Sequence, residues 1–230
     1  MTPSLLLTHP LLLCLLLLAL LAAPARSFVV GAPAALPSTS LAAGGFAKPA
    51  QPAQPNKPSL PAYLATLPTR TPSPSSPCAC KSSVPYASCC QPYHGDPLLC
   101  SPLPEIESPE RCLRTRYSAF AGRLPLPLMR TVHEANGEWR EDEAGWAKRM
   151  HEEGIFDGCE FVDLVVGEEE GESEGERFLS FEAVIKELDP RANGREVRLK
   201  ERSRFLRVEG RGWLYAGGVV TDKDGTVVNA

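Results

Sequence analysis

Four cysteines within thirteen residues constrain this chain more than any other feature of its sequence. They form two close pairs, Cys78 with Cys80 and Cys89 with Cys90, separated by an eight-residue spacer. Neighbouring thiols such as those of Cys89 and Cys90 do not pair easily with each other. A tetrahedral zinc ion, in contrast, takes four thiolates brought together by two short turns. The spacing therefore predicts a zinc knuckle in which Cys78, Cys80, Cys89 and Cys90 bind Zn²⁺.

The sequence leaves alternatives open at this cluster. The thiols are either metal ligands, disulfide partners or free, and His94 lies close enough in the chain to replace one ligand. A metal knuckle of this size has no core of its own, so metal binding supplies its folding energy. From the residues alone, the role of such a knuckle is to staple the chain.

Charge divides the chain into two unlike parts. Residues 1–77 contain four basic residues, no acidic residue and 14 of the 23 prolines, whereas all 28 acidic residues lie in 78–230. An acid-free segment rich in Pro, Ala and Ser buries little apolar surface, so 28–77 is predicted to be disordered. The acidic part argues against nucleic-acid binding, which needs a basic surface.

The N-terminus reads as a targeting sequence. An apolar run over 11–23 is too short to span a bilayer and is typical of a signal peptide. Small residues Ala25 and Ser27 predict cleavage after residue 27, which leaves Phe28 at the new N-terminus and no membrane span in the mature form.

The segment that follows Phe28 has the composition of a transit peptide. A signal peptide followed by a Phe-started transit peptide resembles the bipartite presequence of algae whose plastid lies inside extra membranes. This resemblance implies a plastid location, with secretion as the alternative. Removal of Cys14 leaves seven cysteines, and an odd number favours a reducing compartment.

The cysteine cluster resembles the SEC-C motif, a zinc motif found at the tail of the preprotein translocase motor and in other proteins. Further blocks are similar in order and spacing to the bacterial YchJ family. These blocks are Pro85-Tyr86, Cys89-Cys90, Pro92-Tyr93-His94-Gly95, the run from Leu113 to Phe120, the run from Glu201 to Leu206, and Trp213-Leu214-Tyr215.

The resemblance implies a knuckle followed by a nuclear-transport-factor-2-like cone domain, in which a curved antiparallel sheet wraps around helices. The implied organisation is a knuckle at 78–95, a cone domain at 96–220 and a C-terminal tail at 221–230. This chain departs from the family at Ala79, where Pro is usual. It departs again at Lys81-Ser82-Ser83, where Gly-Ser-Gly is usual, and glycine adopts positive φ at low cost.

Helices followed by an antiparallel meander are predicted for the cone domain. Ser108 and Pro109 are typical of a helix start, and Gly122 of its end. Further helices are predicted at 126–133 and 143–153, strands at 155–166, 177–188, 196–208 and 212–220, and a solvated acidic loop at 168–176. This order of elements predicts an α+β fold.

Alternation along the third strand predicts that Glu201 and Ser203 lie on its inward face with Leu199 and Phe205. A buried carboxylate needs a partner or a raised pKa. Two interpretations remain open: a small-ligand or acid-base pocket, or a structural ion pair between helix and sheet. The candidate pocket residues are Arg116, Tyr117, His133 and Glu201.

Two functional hypotheses follow from the sequence. The first is a non-enzymatic zinc-binding protein whose knuckle mediates a protein interaction in the plastid. The second is a small-molecule-binding protein, or a lyase or isomerase, that uses the cone pocket. The sequence carries no nucleophile elbow and no phosphate-binding loop, which favours the first hypothesis.

Overall fold

The computed structural model describes residues 59–171, 173–222 and 226–227; the predicted signal peptide and residues 28–58 lie outside them. Helices α1 to α5 span Leu60–Leu64, Gln91–His94, Pro109–Gly122, Pro125–Arg130 and Glu143–Glu152, and short 3-10 helices span Tyr86–Ser88 and Pro190–Ala192. Strands β1 to β4 span Cys159–Glu170, Glu176–Glu187, Glu196–Val208 and Gly212–Thr221. Within the described residues, no helix combines the length and the apolar character needed to cross a bilayer.

The strands form one antiparallel sheet in the order β1-β2-β3-β4, which confirms the predicted α+β fold. Alternation on β3 sets its inward face: Glu201 and Ser203 are 4% and 1% exposed, whereas Arg202 between them is exposed. Glu201 pairs with Phe181 on β2 and with Val220 on β4. The carboxyl group of Glu201 therefore lies in the middle of the sheet, on the face that the helices cover.

Helix α3 packs against this inward face. The helix begins at a cap in which the Ser108 hydroxyl accepts a hydrogen bond from the Arg111 backbone N–H at 3.1 Å, as the sequence predicts. Leu113 and Tyr117 project from α3 into the main core cluster. The Tyr117 ring meets the Phe161 ring edge-on, with 5.1 Å between centroids. Burial of each such side chain contributes roughly 1.5–3 kcal/mol.

Ordered structure begins earlier than the sequence predicted. The assignment of 28–77 to a disordered segment is wrong for 59–77, because this stretch packs on the cone domain. Leu64 of α1 is 4% exposed and joins the cluster that contains Trp146. The Arg70 N–H also donates to the carbonyl at the end of α3 at 2.8 Å. Burial of a few apolar side chains therefore orders this stretch despite its Pro-rich composition.

The acidic run at 168–176 is also only partly a loop. Strand β1 continues to residue 170 and β2 begins at residue 176, so the loop is confined to the intervening residues. The acidic side chains are held by cross-strand and neighbouring arginines. These ion pairs join Glu169 to Arg177 at 3.5 Å, Glu170 to Arg202 at 2.8 Å, and Glu176 to Arg204 at 2.5 Å.

The second predicted helix ends earlier than residue 133, because residues 131–133 pair with β4 instead. The Tyr215 N–H donates to the Thr131 carbonyl at 2.9 Å, and the His133 N–H donates to the Tyr215 carbonyl at 2.8 Å. The first strand begins at Cys159 rather than at residue 155, since Ile155 packs with the helices.

Gly212 is predicted to tolerate no side chain. It has φ +76°, and a Cβ there would overlap the backbone of Ile106, which bridges to β4 at this point. We expect Gly212→Ala to lower the free energy of unfolding by about 2 kcal/mol, through strain and clash together. Gly210 is the matched control, since its φ is +70° and its Cβ would meet nothing within 4 Å. Gly210→Ala should cost about 1 kcal/mol. Equal losses in urea unfolding would contradict the prediction.

Candidate functional site

The four cysteines of the knuckle converge at one point. Their Sγ atoms all lie within 4.8 Å of one another, and all four side chains are buried. Two turns bring them together: the Cys78 N–H donates to the Val84 carbonyl at 2.9 Å, and α2 begins directly after Cys90. The cluster has no other buried apolar residue except Tyr86.

The geometry of the sulfurs fits a tetrahedral metal site. Four sulfurs about 2.3 Å from a zinc ion would be about 3.8 Å apart. The Sγ atom of Cys89 lies 3.4 Å from that of Cys80 and 3.8 Å from that of Cys90. A disulfide would need about 2.05 Å, and all four cysteines are free thiols. The donor set therefore suits a thiophilic divalent cation.

Polar groups around the cluster are arranged to stabilise anionic sulfur. The Ser82 hydroxyl lies 3.2 Å from Cys80 Sγ and 3.1 Å from Cys89 Sγ. From α3, the Arg111 guanidinium donates to Cys89 Sγ at 3.8 Å, and that of Arg114 donates to the Cys80 carbonyl at 2.8 Å. Four thiolates and one divalent cation carry two excess negative charges, which these arginines partly offset.

The thiols also influence each other's ionisation. The pKa of Cys80 is lowered far below the ordinary thiol range, chiefly because the thiols of Cys78 and Cys90 donate hydrogen bonds to its sulfur. The hydrogen bond to Cys80 raises the pKa of Cys78 to about 11, and hydrogen bonds to Cys78 and then Cys80 raise that of Cys90. Sulfurs this close can all carry negative charge only when a cation lies between them.

His94 takes no part in this cluster, so its role as a substitute ligand is excluded by its position. Its Nδ1 atom lies 2.7 Å from the Tyr86 hydroxyl, and its Nε2 atom lies 2.9 Å from the Ser118 hydroxyl. Burial lowers the pKa of His94 to about 4, which keeps the ring neutral. The imidazole therefore connects the knuckle to α3.

Two residues of the first turn adopt a conformation that favours glycine. Lys81 has φ +64° and Ser83 has φ +62°. These are the two positions where the sequence has Lys and Ser in place of the family's glycines. A non-glycine residue in this region costs about 1 kcal/mol or more. The turn is thus formed at the expense of stability in the knuckle.

Restoring glycine should relieve this strain. We expect Lys81→Gly and Ser83→Gly each to raise zinc affinity by a few-fold, since metal binding and folding of the knuckle are coupled and relief is worth up to about 1 kcal/mol. Competition with a chromophoric chelator measures the affinity. Ser82→Gly is the control: Ser82 has no positive φ, and its hydroxyl contacts two sulfurs. This variant should lose affinity, and a gain would refute the strain argument.

The candidate pocket residues of the cone are only partly brought together. Arg116, Tyr117 and Glu201 line one cavity of about 30 Å³. His133 does not line it; its Nδ1 atom accepts a hydrogen bond from the Ala135 N–H at 2.9 Å. This geometry is typical of a turn-capping residue, so the inclusion of His133 in the pocket was wrong.

Glu201 is held inside the cavity by two hydroxyl groups. Its Oε1 atom accepts hydrogen bonds from Ser203 at 2.5 Å and from Tyr215 at 2.8 Å. Burial raises the pKa of Glu201 to about 7, against the lowering effect of these hydroxyls and of the Arg116 charge. A carboxyl group with this pKa exchanges its proton near neutral pH.

Arg116 does not form the ion pair that the sequence suggested as an alternative. Among the described residues, no carboxylate oxygen lies within 4 Å of its guanidinium. One nitrogen, Nη1, donates to the Leu128 carbonyl and to the Thr131 hydroxyl, both at 3.0 Å. The guanidinium also lies over the Tyr215 ring, with its Cζ atom 4.5 Å from the ring centroid. It therefore links α3 to the end of α4 and to β4.

Tyr215 and Thr131 are the cavity's supporting residues that sequence reasoning missed. Tyr215 is buried, 4% exposed, and its ring belongs to the main core. No local pattern indicates that its hydroxyl reaches Glu201, because the contact joins residues on neighbouring strands at diagonal positions. Thr131 contacts Arg116 only because the chain leaves α4 there.

Comparisons with known proteins agree with this architecture. The family model described as "YchJ, middle NTF2-like domain" matches residues 108–218. A UPF0225 protein of Deinococcus radiodurans is 30% identical over 142 residues, which cover 62% of this chain and 88% of the relative. A UPF0225 protein of Vibrio parahaemolyticus is 30% identical, with 65% and 78% covered.

Among solved structures, a SEC-C motif containing protein from Rhodopseudomonas palustris matches with 26% identity and a TM-score of 0.46, covering 64% of this chain and all of that one. The cone at 108–218 coincides with the family's middle domain, and the buried cysteine cluster precedes it. The chain belongs to the UPF0225 (YchJ) family.

Proposed function

We propose that this chain is a zinc-binding protein whose knuckle serves as a docking surface for a protein partner in the plastid. The observation that carries the zinc assignment is the convergence of four buried, free thiols within 4.8 Å. Four thiolates around a closed tetrahedral centre form a structural site, because no coordination position is left for a substrate.

Metal analysis of the purified full chain tests the zinc assignment. We expect about one zinc per chain. A chain purified without metal that folds with an unchanged knuckle would contradict the proposal. Loading with another thiophilic cation and not with zinc would contradict the choice of metal.

The docking proposal is supported by a groove beside the knuckle. It has a volume of about 400 Å³ and lies between the first knuckle turns and the start of α3. Val84 in its lining is 40% exposed, and the lining also has charged groups of both signs: Glu107 before α3, and Glu110, Arg111 and Arg114 on α3. A groove with an apolar edge and charges of both signs suits a polar polypeptide segment.

A matched pair of surface variants tests this groove. We expect Val84→Asp to reduce recovery of partner proteins from plastid extract without loss of zinc, because it places a charge at the groove's apolar edge. Val219 is the control, since it is 51% exposed on β4, away from the knuckle. Val219→Asp should recover the same proteins as the unmodified chain. Equal recovery by the unmodified chain, Val84→Asp and Val219→Asp would refute docking at the knuckle.

The plastid location is supported by the composition of residues 1–58, which lie outside the described residues. A fluorescent fusion to the full chain tests it by imaging. Secretion of the fusion into the medium would overturn the location without affecting the zinc proposal.

A further inference from the structure

The guanidinium of Arg116 is buried with most of its donors unused. The residue is 6% exposed, and among the described residues only its Nη1 atom donates a hydrogen bond. Its Nε and Nη2 atoms have no hydrogen-bond partner in that part of the chain. These two nitrogens form the edge of a guanidinium that binds a carboxylate through two parallel hydrogen bonds. A buried cation without a paired anion is costly.

Two further polar groups of the same cavity have unused capacity. Tyr117 is 3% exposed, and its hydroxyl is without a hydrogen-bond partner in the described part of the chain. Only the Oε1 atom of Glu201 accepts hydrogen bonds from the described residues, which leaves Oε2 available. Arg116 and Glu201 interact electrostatically where they line one small cavity, whereas the Tyr117 hydroxyl interacts with Asp163 and Cys80. Buried polar groups in native proteins normally have partners.

We propose that this cavity binds a short-chain monocarboxylate, with its carboxylate on the Nε–Nη2 edge of Arg116. A single negative charge on the ligand balances the charge of Arg116. A water molecule would satisfy hydrogen bonds but would leave that charge unpaired. The proposal concerns the cone alone and is independent of zinc binding and docking at the knuckle.

The size and lining of the cavity restrict the rest of the ligand. Its apolar wall consists of Leu113, Phe120, Phe161, Phe181 and Phe205. A volume of about 30 Å³ has room for a few non-hydrogen atoms only. Arg116 and Phe120 also line a second cavity of about 70 Å³ beneath the ion pair of Glu138 and Arg149. A shift of the Phe120 ring would join the two cavities and give a path of entry.

Titration of the ¹⁵N-labelled full chain with acetate tests the proposal. We expect a saturable shift of the Arg116 Nε–H resonance with a dissociation constant of about 1 mM, as suits so small a ligand. Acetamide, the neutral isostere, and chloride at equal concentration should give no saturable shift. Saturation by acetamide or chloride as strong as by acetate would overturn the proposal. So would the lack of saturation by about 50 mM acetate.

A pair of variants separates ligand binding from a structural role. Arg116→Lys keeps the positive charge but removes the planar edge that takes a carboxylate through two hydrogen bonds. Saturation by acetate, followed on backbone amide resonances of β3, should therefore be lost. Tyr117→Phe is the matched control, because the Tyr117 hydroxyl has no hydrogen-bond partner in the described part of the chain and interacts with Asp163 and Cys80. This variant should bind acetate within about twofold of the unmodified chain. Unchanged acetate affinity in Arg116→Lys would refute the site, and a roughly tenfold loss in Tyr117→Phe would refute the assigned position of the carboxylate.

Discussion

Replacement of Cys90 by serine is expected to empty the proposed zinc site and unfold the knuckle. Cys90 is fully buried, and its Sγ atom lies 3.8 Å from that of Cys89. Structural zinc supplies about 10–16 kcal/mol to small zinc-finger peptides. Serine is a poor zinc ligand, so loss of one thiolate removes a large share of that energy. Zinc content should fall from about one per chain to near zero after dialysis against a chelator.

The loss should stay local to the knuckle. The four cysteines and Tyr86 form a cluster separate from those of the cone domain. Polar contacts join knuckle to cone through His94 to Ser118 and Arg114 to the Cys80 carbonyl, and Tyr93 packs against the main core of the cone. Hydrogen exchange should therefore accelerate over residues 78–95, whereas strands β2 and β3 stay protected.

Cys100 provides the matched control for this experiment. It is a free, half-buried thiol outside the metal cluster, its Sγ atom donates to the Pro97 carbonyl at 3.2 Å, and it packs against the cluster that contains Trp146. Cys100→Ser should keep its zinc and its protection in the knuckle. If Cys90→Ser retained zinc at the level of Cys100→Ser, the four-cysteine site would be refuted.

The cysteine cluster could be predicted because its signal is local. Four ligands within thirteen residues leave few ways for the chain to bring them together, so spacing alone carries the geometry. The inward orientation of Glu201 was equally accessible, since a strand places alternate residues on opposite faces and Leu199 and Phe205 fix which face is buried.

The structural features that could not be predicted from the sequence depend on long-range packing. The order of 59–77 arises because Leu64 enters a groove formed by residues more than fifty positions away. The chain's exit from α4 at Thr131 depends on pairing with Tyr215, and it moves His133 away from the pocket. The positive φ angles at Lys81 and Ser83 were suggested only by the family's glycines, because neither residue type favours that conformation.

The second large effect is expected at Glu201, as a change of the unfolding free energy with pH. In the unfolded chain this carboxyl group ionises near its ordinary pKa of 4.5, whereas the folded protein keeps the proton until about pH 7. Stability from this group is therefore fully present below pH 4.5 and is lost as the pH rises through 7. A shift of this size corresponds to about 3 kcal/mol of unfolding free energy.

Glu201→Gln should abolish this dependence. An uncharged amide of the same shape still accepts hydrogen bonds from Ser203 and Tyr215 at the Oε1 position. Relative to the unmodified chain, the variant should gain about 2 kcal/mol between pH 5.5 and pH 8, which is the part of the effect in that window. Urea unfolding at the two pH values measures it. The quantity compared is the change in unfolding free energy between the two pH values, in the variant and in the unmodified chain. Any pH-independent destabilisation by the amide cancels in this comparison, and so does any loss of metal that occurs in both proteins.

Glu196→Gln is the control for this comparison. Glu196 lies on the same strand as Glu201 but is exposed, so Glu196→Gln removes a carboxyl group that is not buried, and the variant should follow the unmodified chain at both pH values. Parallel profiles for Glu201→Gln and the unmodified chain would show that the buried carboxyl group ionises with an ordinary pKa. The cavity would then hold a fixed negative charge beside Arg116, and that result would count against a site for a second anion.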